Sequence, residues 1–284
     1  MGTLYVVATP IGNLEDVTLR ALRVLGEANL VFAEDTRRIR ILCQRHGIAA
    51  RPVSLHAHNE ASRLAQAREM LARGGGVALV SDAGTPLISD PGERLVAEAI
   101  AGGHRVEPVP GASAVLAALA VSGLPVLPFT VLGFPPRRAG ARRRLLEAYR
   151  DRPETLVIFE SPRRVGATLV ELSEVLGERR ACAARELTKL YEEVRRGSLH
   201  ELAADFEDGA RGEFTLVVEG QRAPLERETR PDEDELTDEV LAEQIRQLLA
   251  AGQRPSEIAA RLAHSTGIPR RVLYARAVAA KEER

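Results

Sequence analysis

A chain of 284 residues with 45% hydrophobic content has room for two domains of ordinary size and a small appendage. No apolar stretch approaches the roughly 18 residues of a membrane span, and Cys43 and Cys182 lack metal-ligand or disulfide-framework spacing, so a cytoplasmic protein without a leader is expected. The formal net charge of −1 excludes nucleic-acid binding by bulk charge, so any basic surface has to be local.

In chain order, Thr3–Ala8 is a β-rich run that ends in the loop Thr9-Pro10-Ile11-Gly12-Asn13. Asn29–Ala33 ends in Glu34-Asp35-Thr36-Arg37. The apolar run Val77–Val80 empties into Ser81–Gly92, a loop of small residues with prolines at 86 and 91. Val106–Val109 runs into Pro110-Gly111-Ala112-Ser113, which opens a helical run over Val115–Val121. Four strand-loop-helix units imply a mostly parallel α/β sheet over residues 1–121, with four loops along one edge. Ligands of such sheets sit outside the carboxyl ends of the strands. The loop at 81–92 is too long and too stiff for a plain turn, which points to a pocket. No Gly-x-Gly-x-x-Gly follows a strand and no Gly-Lys-Ser/Thr loop exists, so the ligand should lack a polyphosphate. Asp82 and Asp90 in the loop would repel phosphate and tolerate a cation.

Residues 122–128 read as a stiff hinge, followed by a second α/β segment over 129–222. Its strands are expected near Phe129–Leu132, Thr155–Phe159, Arg180–Ala184 and Phe214–Val218, with helical periods at Arg142–Tyr149 and Arg164–Leu176. The stretch after Phe134 carries Arg137, Arg138, Arg142, Arg143 and Arg144 with no acid, and Arg163 and Arg164 follow. With Arg37, these are the candidate contacts to a polyanion. Residues 223–237 are charged and poor in apolar groups, so they read as a linker. Residues 238–284 hold three helical periods with helix-turn-helix proportions. All but two of the 39 basic residues are arginine, a bias that reflects the coding background. A lysine that survives in such a chain, Lys189, suggests a need for a compact ammonium of adjustable pKa; an ordinary surface lysine is the plain alternative. His56 and His58 lack further ligands at metal spacing, so no metal is expected.

Eight motifs in order, from Thr9-Pro10-Ile11-Gly12-Asn13 and Ala33-Glu34-Asp35-Thr36-Arg37 through His56–Glu60, Ser81–Gly92, Pro110–Ser113, Phe134–Arg137 and Phe159–Arg164 to Ala184–Lys189, resemble the small-subunit ribosomal RNA methyltransferases of the tetrapyrrole methylase superfamily. The resemblance implies transfer of methyl from S-adenosylmethionine to the ribose 2′-oxygen of a cytidine in the decoding region. It also implies two α/β domains with the cofactor between them, and a homodimer. The superfamily's cofactor loop maps onto Asp82, Ala83, Gly84, Thr85, Pro86, Ile88, Ser89 and Asp90. Pro10, Ala112, Ser113, Phe134, Ala184, Arg185 and Leu187 are its further neighbours. A ribose hydroxyl is a poor nucleophile, so Lys189 is expected to act as base or as the cation stabilising the forming alkoxide, oriented by Glu186 or Asp35. The RNA partner is small-subunit ribosomal RNA or the assembled subunit. A tetrapyrrole methyltransferase and a DNA-binding regulator built on residues 239–281 are the competing readings.

Overall fold

Continuous aliphatic runs, rather than alternating ones, mark strands covered on both faces, and the first 110 residues form one wholly parallel sheet. The computed structural model describes residues 1–56, 59–207, 209–221, 238–266 and 268–282. The strands are β1 (Thr3–Val7), β2 (Leu30–Ala33), β3 (Pro52–Ser54), β4 (Gly76–Val80) and β5 (Arg105–Val109), in the order β3-β2-β4-β1-β5. Helices α1 (Leu19–Glu27), α2 (Thr36–Arg45), α3 (Glu60–Ala72), α4 (Glu93–Ala101) and α5 (Ala114–Ser122) alternate with them, because parallel strands need crossovers. One core gathers Val7, Val31 and Val80 with Val24, Leu25, Ile39 and Leu42 of α1 and α2. A second gathers Leu4, Phe32 and Leu79 with Leu64, Leu71 and Leu95 of α3 and α4. All carboxyl ends therefore share one edge, which aligns the loops at 8–13, 34–35, 81–92 and 110–113.

The second sheet is mixed. It contains β6 (Phe129–Gly133), β7 (Thr155–Glu160), β8 (Arg180–Arg185), β9 (Glu193–Ser198) and β10 (Phe214–Val218), in the order β6-β7-β10-β8-β9. Only β6 and β7 are parallel; the other neighbours are antiparallel. The last strand in the chain, β10, inserts between β7 and β8, with Phe214 opposite both Glu160 and Arg185. That register brings the carboxyl ends of β6, β7 and β8 and the amino end of β10 to one edge. Helices α6 (Ala139–Glu147), α7 (Val165–Leu176) and α8 (Leu199–Asp205) complete this half, and α7 and α8 fill its core with Leu169, Leu172, Leu199 and Leu202. Strand β9 escapes sequence reading because its run Glu-Val-Arg-Arg-Gly-Ser lacks apolar periodicity. Charged residues suit an edge strand, which must not invite further pairing.

Helix α5 joins the halves. Its Val115, Ala118 and Leu119 pack on Val157, Cys182, Ala184 and Val217 of the second sheet. Residues 1–221 accordingly form one compact unit and 222–284 another. In the latter, α9 (Asp238–Ala250), α10 (Pro255–Thr266) and α11 (Arg270–Glu282) share a core of Leu241, Ile245, Ile258, Leu262 and Leu273. The expected linker at 223–237 lies outside the described residues. Among those described, no helix is long and apolar enough to cross a membrane.

Candidate active site

The loop edges of the two sheets face each other across a cavity of about 520 Å³, within the range of small-molecule sites. The first half lines it with Ile11, Glu34, Arg38, Ser113 and most of the loop 82–90; the second half with Phe134, Phe159, Glu160, Ala184, Glu186, Leu187, Lys189 and Glu213.

The first half contributes a tied backbone. Thr9 N–H donates to the Gly84 carbonyl (2.8 Å) and Gly84 N–H to that of Thr9 (3.0 Å). The Ser81 hydroxyl donates to the Gly84 carbonyl (3.1 Å), and the Thr9 hydroxyl to the Ser81 carbonyl (3.2 Å). Gly84 has φ of +80°, and a Cβ there would lie 3.3 Å from Ile11. Asp82 accepts from Asp35 N–H (2.7 Å) and lies 3.8 Å from Arg38, so it clasps the β2 loop to the β4 loop.

The second half contributes fixed charge. Lys189 Nζ donates to Glu186 Oε1 and to Glu213 Oε2, both at 2.8 Å. Glu186 is held in turn: its N–H donates to the Glu213 carbonyl (2.9 Å), and its Oε1 accepts from Glu213 N–H (2.8 Å). Burial works against the Lys189 charge, but the two carboxylates outweigh it and raise the ammonium above its usual pKa. The hydrogen bond from Lys189 holds Glu186 below the usual carboxylate range. Gly12 seals the seam, because a Cβ there would come 2.4 Å from Lys189 Cγ and 2.9 Å from the Leu187 carbonyl.

Among the described residues, the four non-glycine positions with positive φ all belong to two of these loops: Leu87 (76°), Ser89 (75°), Glu186 (50°) and Thr188 (66°). Each costs about 1–3 kcal/mol, and such strain persists where surrounding structure enforces it. Across the cavity, burial and then the neighbouring Glu34 and Asp82 push the Asp90 carboxyl up to about 6. Burial and Asp82 likewise raise Glu34. A pocket that strains its own carboxylates in this way favours a ligand bearing positive charge.

Of the residues expected to hold a cofactor, Asp82, Ala83, Gly84, Thr85, Ile88, Ser89, Asp90, Ser113, Phe134, Ala184 and Leu187 line the cavity. Pro10 and Pro86 are buried and are not among the residues that line it. The Ala112 carbonyl accepts from the Thr85 hydroxyl (3.4 Å), and Arg185 reaches away to the Arg211 carbonyl and Glu193. Asp35 does not touch Lys189. It caps α2 and accepts from the Arg37 guanidinium at both carboxylate oxygens, which with the Arg37 backbone N–H holds its own carboxyl at about 2. The orienting partners are Glu186 and Glu213, and Glu213 was not foreseen because it lies 24 residues from Lys189, just before β10. Arg38, Glu34 and Phe159 were also missed; the alignment of loops is the signal that contained them.

The arginines divide sharply. Arg142 is buried against Glu171, and Arg164 donates to the Pro135 carbonyl and pairs with buried Glu160, so both serve the fold rather than a polyanion. Arg143 pairs with Glu147 and Glu174, and Arg37 with Asp35. Arg137, Arg138, Arg144 and Arg163 are exposed and make no such contact among the described residues. His58 lies outside the described residues, and His56 sits against Asn59. No cluster of three or more His, Cys, Asp or Glu among the described residues is arranged to hold a metal ion.

Comparison with known proteins agrees with this geometry. The family of tetrapyrrole (corrin/porphyrin) methylases matches residues 3–203. A protein named ribosomal RNA small subunit methyltransferase I from Micromonospora olivasterospora is 46% identical over 96% of this chain and 85% of its own length. Proteins of the same name from Pseudomonas aeruginosa (44%, 98% and 97%) and Halalkalibacterium halodurans (43%, 96% and 93%) are similar throughout. A diphthine synthase structure superposes with a TM-score of 0.62 at 19% identity, over 77% of this chain and 90% of that one. A uroporphyrin-III-C-methyltransferase from Thermus thermophilus gives 0.53 at 25%, over 77% and 94%. The fold is thus shared with these structures, and the chain belongs to the tetrapyrrole methylase family, among its ribosomal RNA small subunit methyltransferase I proteins.

Proposed function

We propose that this protein is an S-adenosylmethionine-dependent methyltransferase acting on the ribose 2′-hydroxyl of a cytidine in small-subunit ribosomal RNA. Similarity along nearly the whole chain to proteins named for that ribosomal substrate carries the reading. The cavity supports it. A donor with a sulfonium cation, an adenosine and no phosphate suits walls that combine carboxylates, small residues and an aromatic pair, Phe134 and Phe159, 5.5 Å apart. When bound, that donor supplies an activated methyl group. Residues 82–85 and 88–90, with Ser113, Phe134, Ala184 and Leu187, would hold it.

The chain's own groups then orient and stabilise. In-line displacement is sensitive to alignment, so a pocket fixed by strained, tied loops contributes by positioning. Lys189 keeps its proton at neutral pH, which makes it a fixed cation for the oxygen charge rather than a base. Glu186 and Glu213 hold that ammonium in place. Exposed Arg137, Arg138, Arg144 and Arg163 take RNA phosphates. The protein acts in the cytoplasm as a homodimer, which light scattering checks.

Mass-spectrometric mapping of small-subunit RNA from cells with and without the protein tests the assignment. One cytidine ribose should lose its methyl group in the deleted strain. An unchanged RNA, with methyl transfer to a porphyrinoid by the purified protein, would replace this reading with a tetrapyrrole methyltransferase.

A further inference from the structure

We infer that Leu190 and Tyr191, at the tip of the β8–β9 hairpin, form the platform on which a substrate nucleobase stacks while its ribose enters the cavity. The inference rests on RNA being the substrate. Leu190 is 88% exposed and Tyr191 72% exposed, two adjacent apolar side chains held in water. Folding does not need them there, since truncating either would remove no core contact.

The tip that displays them is rigid. Lys189 N–H donates to the Glu186 carbonyl (2.9 Å) and Glu192 N–H to that of Lys189 (3.1 Å). Thr188 N–H donates to Glu192 Oε2 (2.5 Å), and the Thr188 hydroxyl accepts from Asn13 N–H (3.0 Å). A hairpin loop strained at Glu186 and Thr188 thus fixes two solvent-facing apolar groups immediately after Lys189, which lines the cavity. Rigid display reduces the ordering that binding would otherwise require.

The surroundings point to RNA. The loops after β6 and β7 share this sheet edge, and they bear Arg137, Arg138 and Arg163, which pair with no carboxylate among the described residues. In the strand order β7 is two places from β8 and β6 three, roughly 10 and 14 Å at sheet spacing. An exposed aromatic tip, exposed guanidinium groups on the neighbouring loops and a cavity for the reacting sugar are the components of single-strand recognition: stacking plus backbone neutralisation. A tip of two residues is far smaller than the roughly 800 Å² per partner of a stable subunit contact.

The test compares Tyr191→Ala, Tyr191→Phe and Leu190→Ala with the wild-type full chain. Steady-state methylation of small ribosomal subunits gives KM and kcat, calorimetry gives affinity for S-adenosylhomocysteine, and light scattering gives mass. Loss of one stacked base is worth roughly 5- to 150-fold. Tyr191→Ala should raise KM for the subunit at least fivefold, with mass and S-adenosylhomocysteine affinity unchanged, and Tyr191→Phe should restore it. A KM within twofold of an active wild type overturns the platform, as does a change of mass in Tyr191→Ala, which would make the tip a subunit contact. A wild type that binds S-adenosylhomocysteine but leaves RNA unmethylated removes the parent reading instead, and the platform with it.

Discussion

The two halves of residues 1–221 meet the same cavity with different materials. The parallel half offers backbone: small residues, paired carbonyls and amides, and Gly84 at positive φ, packed against Ile11. The mixed half offers charged side chains locked by one another, with Lys189 between Glu186 and Glu213. Both sheets line the cavity, and the proposed function draws its tied backbone from one and its fixed ammonium from the other. The division follows from topology, since parallel crossovers align many similar loops while an inserted antiparallel strand places distant residues side by side.

Replacing Lys189 tests that division hardest. Lys189→Met should lower kcat by roughly 10²–10³-fold, the cost of one charge-stabilising donor. Affinity for S-adenosylhomocysteine, measured by calorimetry, should stay within about threefold. If donor binding collapses together with turnover, Lys189 helps to hold the donor as well and the contrast fails.

The same contrast explains what could be read from the chain. The loops at 9–13, 81–92 and 110–113 were legible because each follows a short strand directly and carries its own Pro and Gly signature. Their shared edge follows from βαβ chirality and order alone. Lys189 and Glu186 were legible because they are three residues apart. Glu213 was not, because only the pairing of Phe214 with Arg185 brings it to Glu186. Nor could the arginine run be sorted. Arg142 and Arg144 look alike in sequence, yet one faces Glu171 across the α6–α7 contact and the other faces water.

Arg142 marks where the mixed half uses charge for stability instead of function. Its side chain and that of Glu171 are only 11% and 12% exposed. Arg142→Ala leaves a buried carboxylate unpaired and should destabilise the protein by about 3 kcal/mol. Urea denaturation reads this directly. The salt dependence of RNA binding should not change.

Asp90 sharpens the contrast from the other side, as a place where the parallel half carries charge. Burial first, then Glu34 and Asp82, raise its carboxyl from an ordinary 3.8 to about 6. A cationic donor should bind more tightly as pH rises through about 6 and the carboxylate ionises. Asp90→Asn should flatten that dependence in calorimetry between pH 5 and pH 7.5, on the order of a few-fold in affinity. The ligand-free fold has the opposite sign. A raised pKa contributes stability below the ordinary value of 3.8, and that contribution is lost as pH rises through about 6. Opposite signs for binding and stability separate a role at the ligand from a role in the fold.

The smallest expected effect belongs to Arg144, on the exposed face of α6 and free of any carboxylate partner among the described residues. Arg144→Ala should leave stability within about 0.5 kcal/mol of wild type, since no buried group loses a partner. If its guanidinium neutralises one RNA phosphate, the slope of log affinity against log salt should fall by about 0.7–0.9, the value for one displaced counterion. Donor affinity should not move. An unchanged slope would place the RNA track on the loops of Arg137, Arg138 and Arg163, close to the cavity edge, and would remove α6 from it. A lowered slope extends the track along α6, away from the parallel half, so that the half supplying the fixed ammonium also supplies the grip on the polyanion.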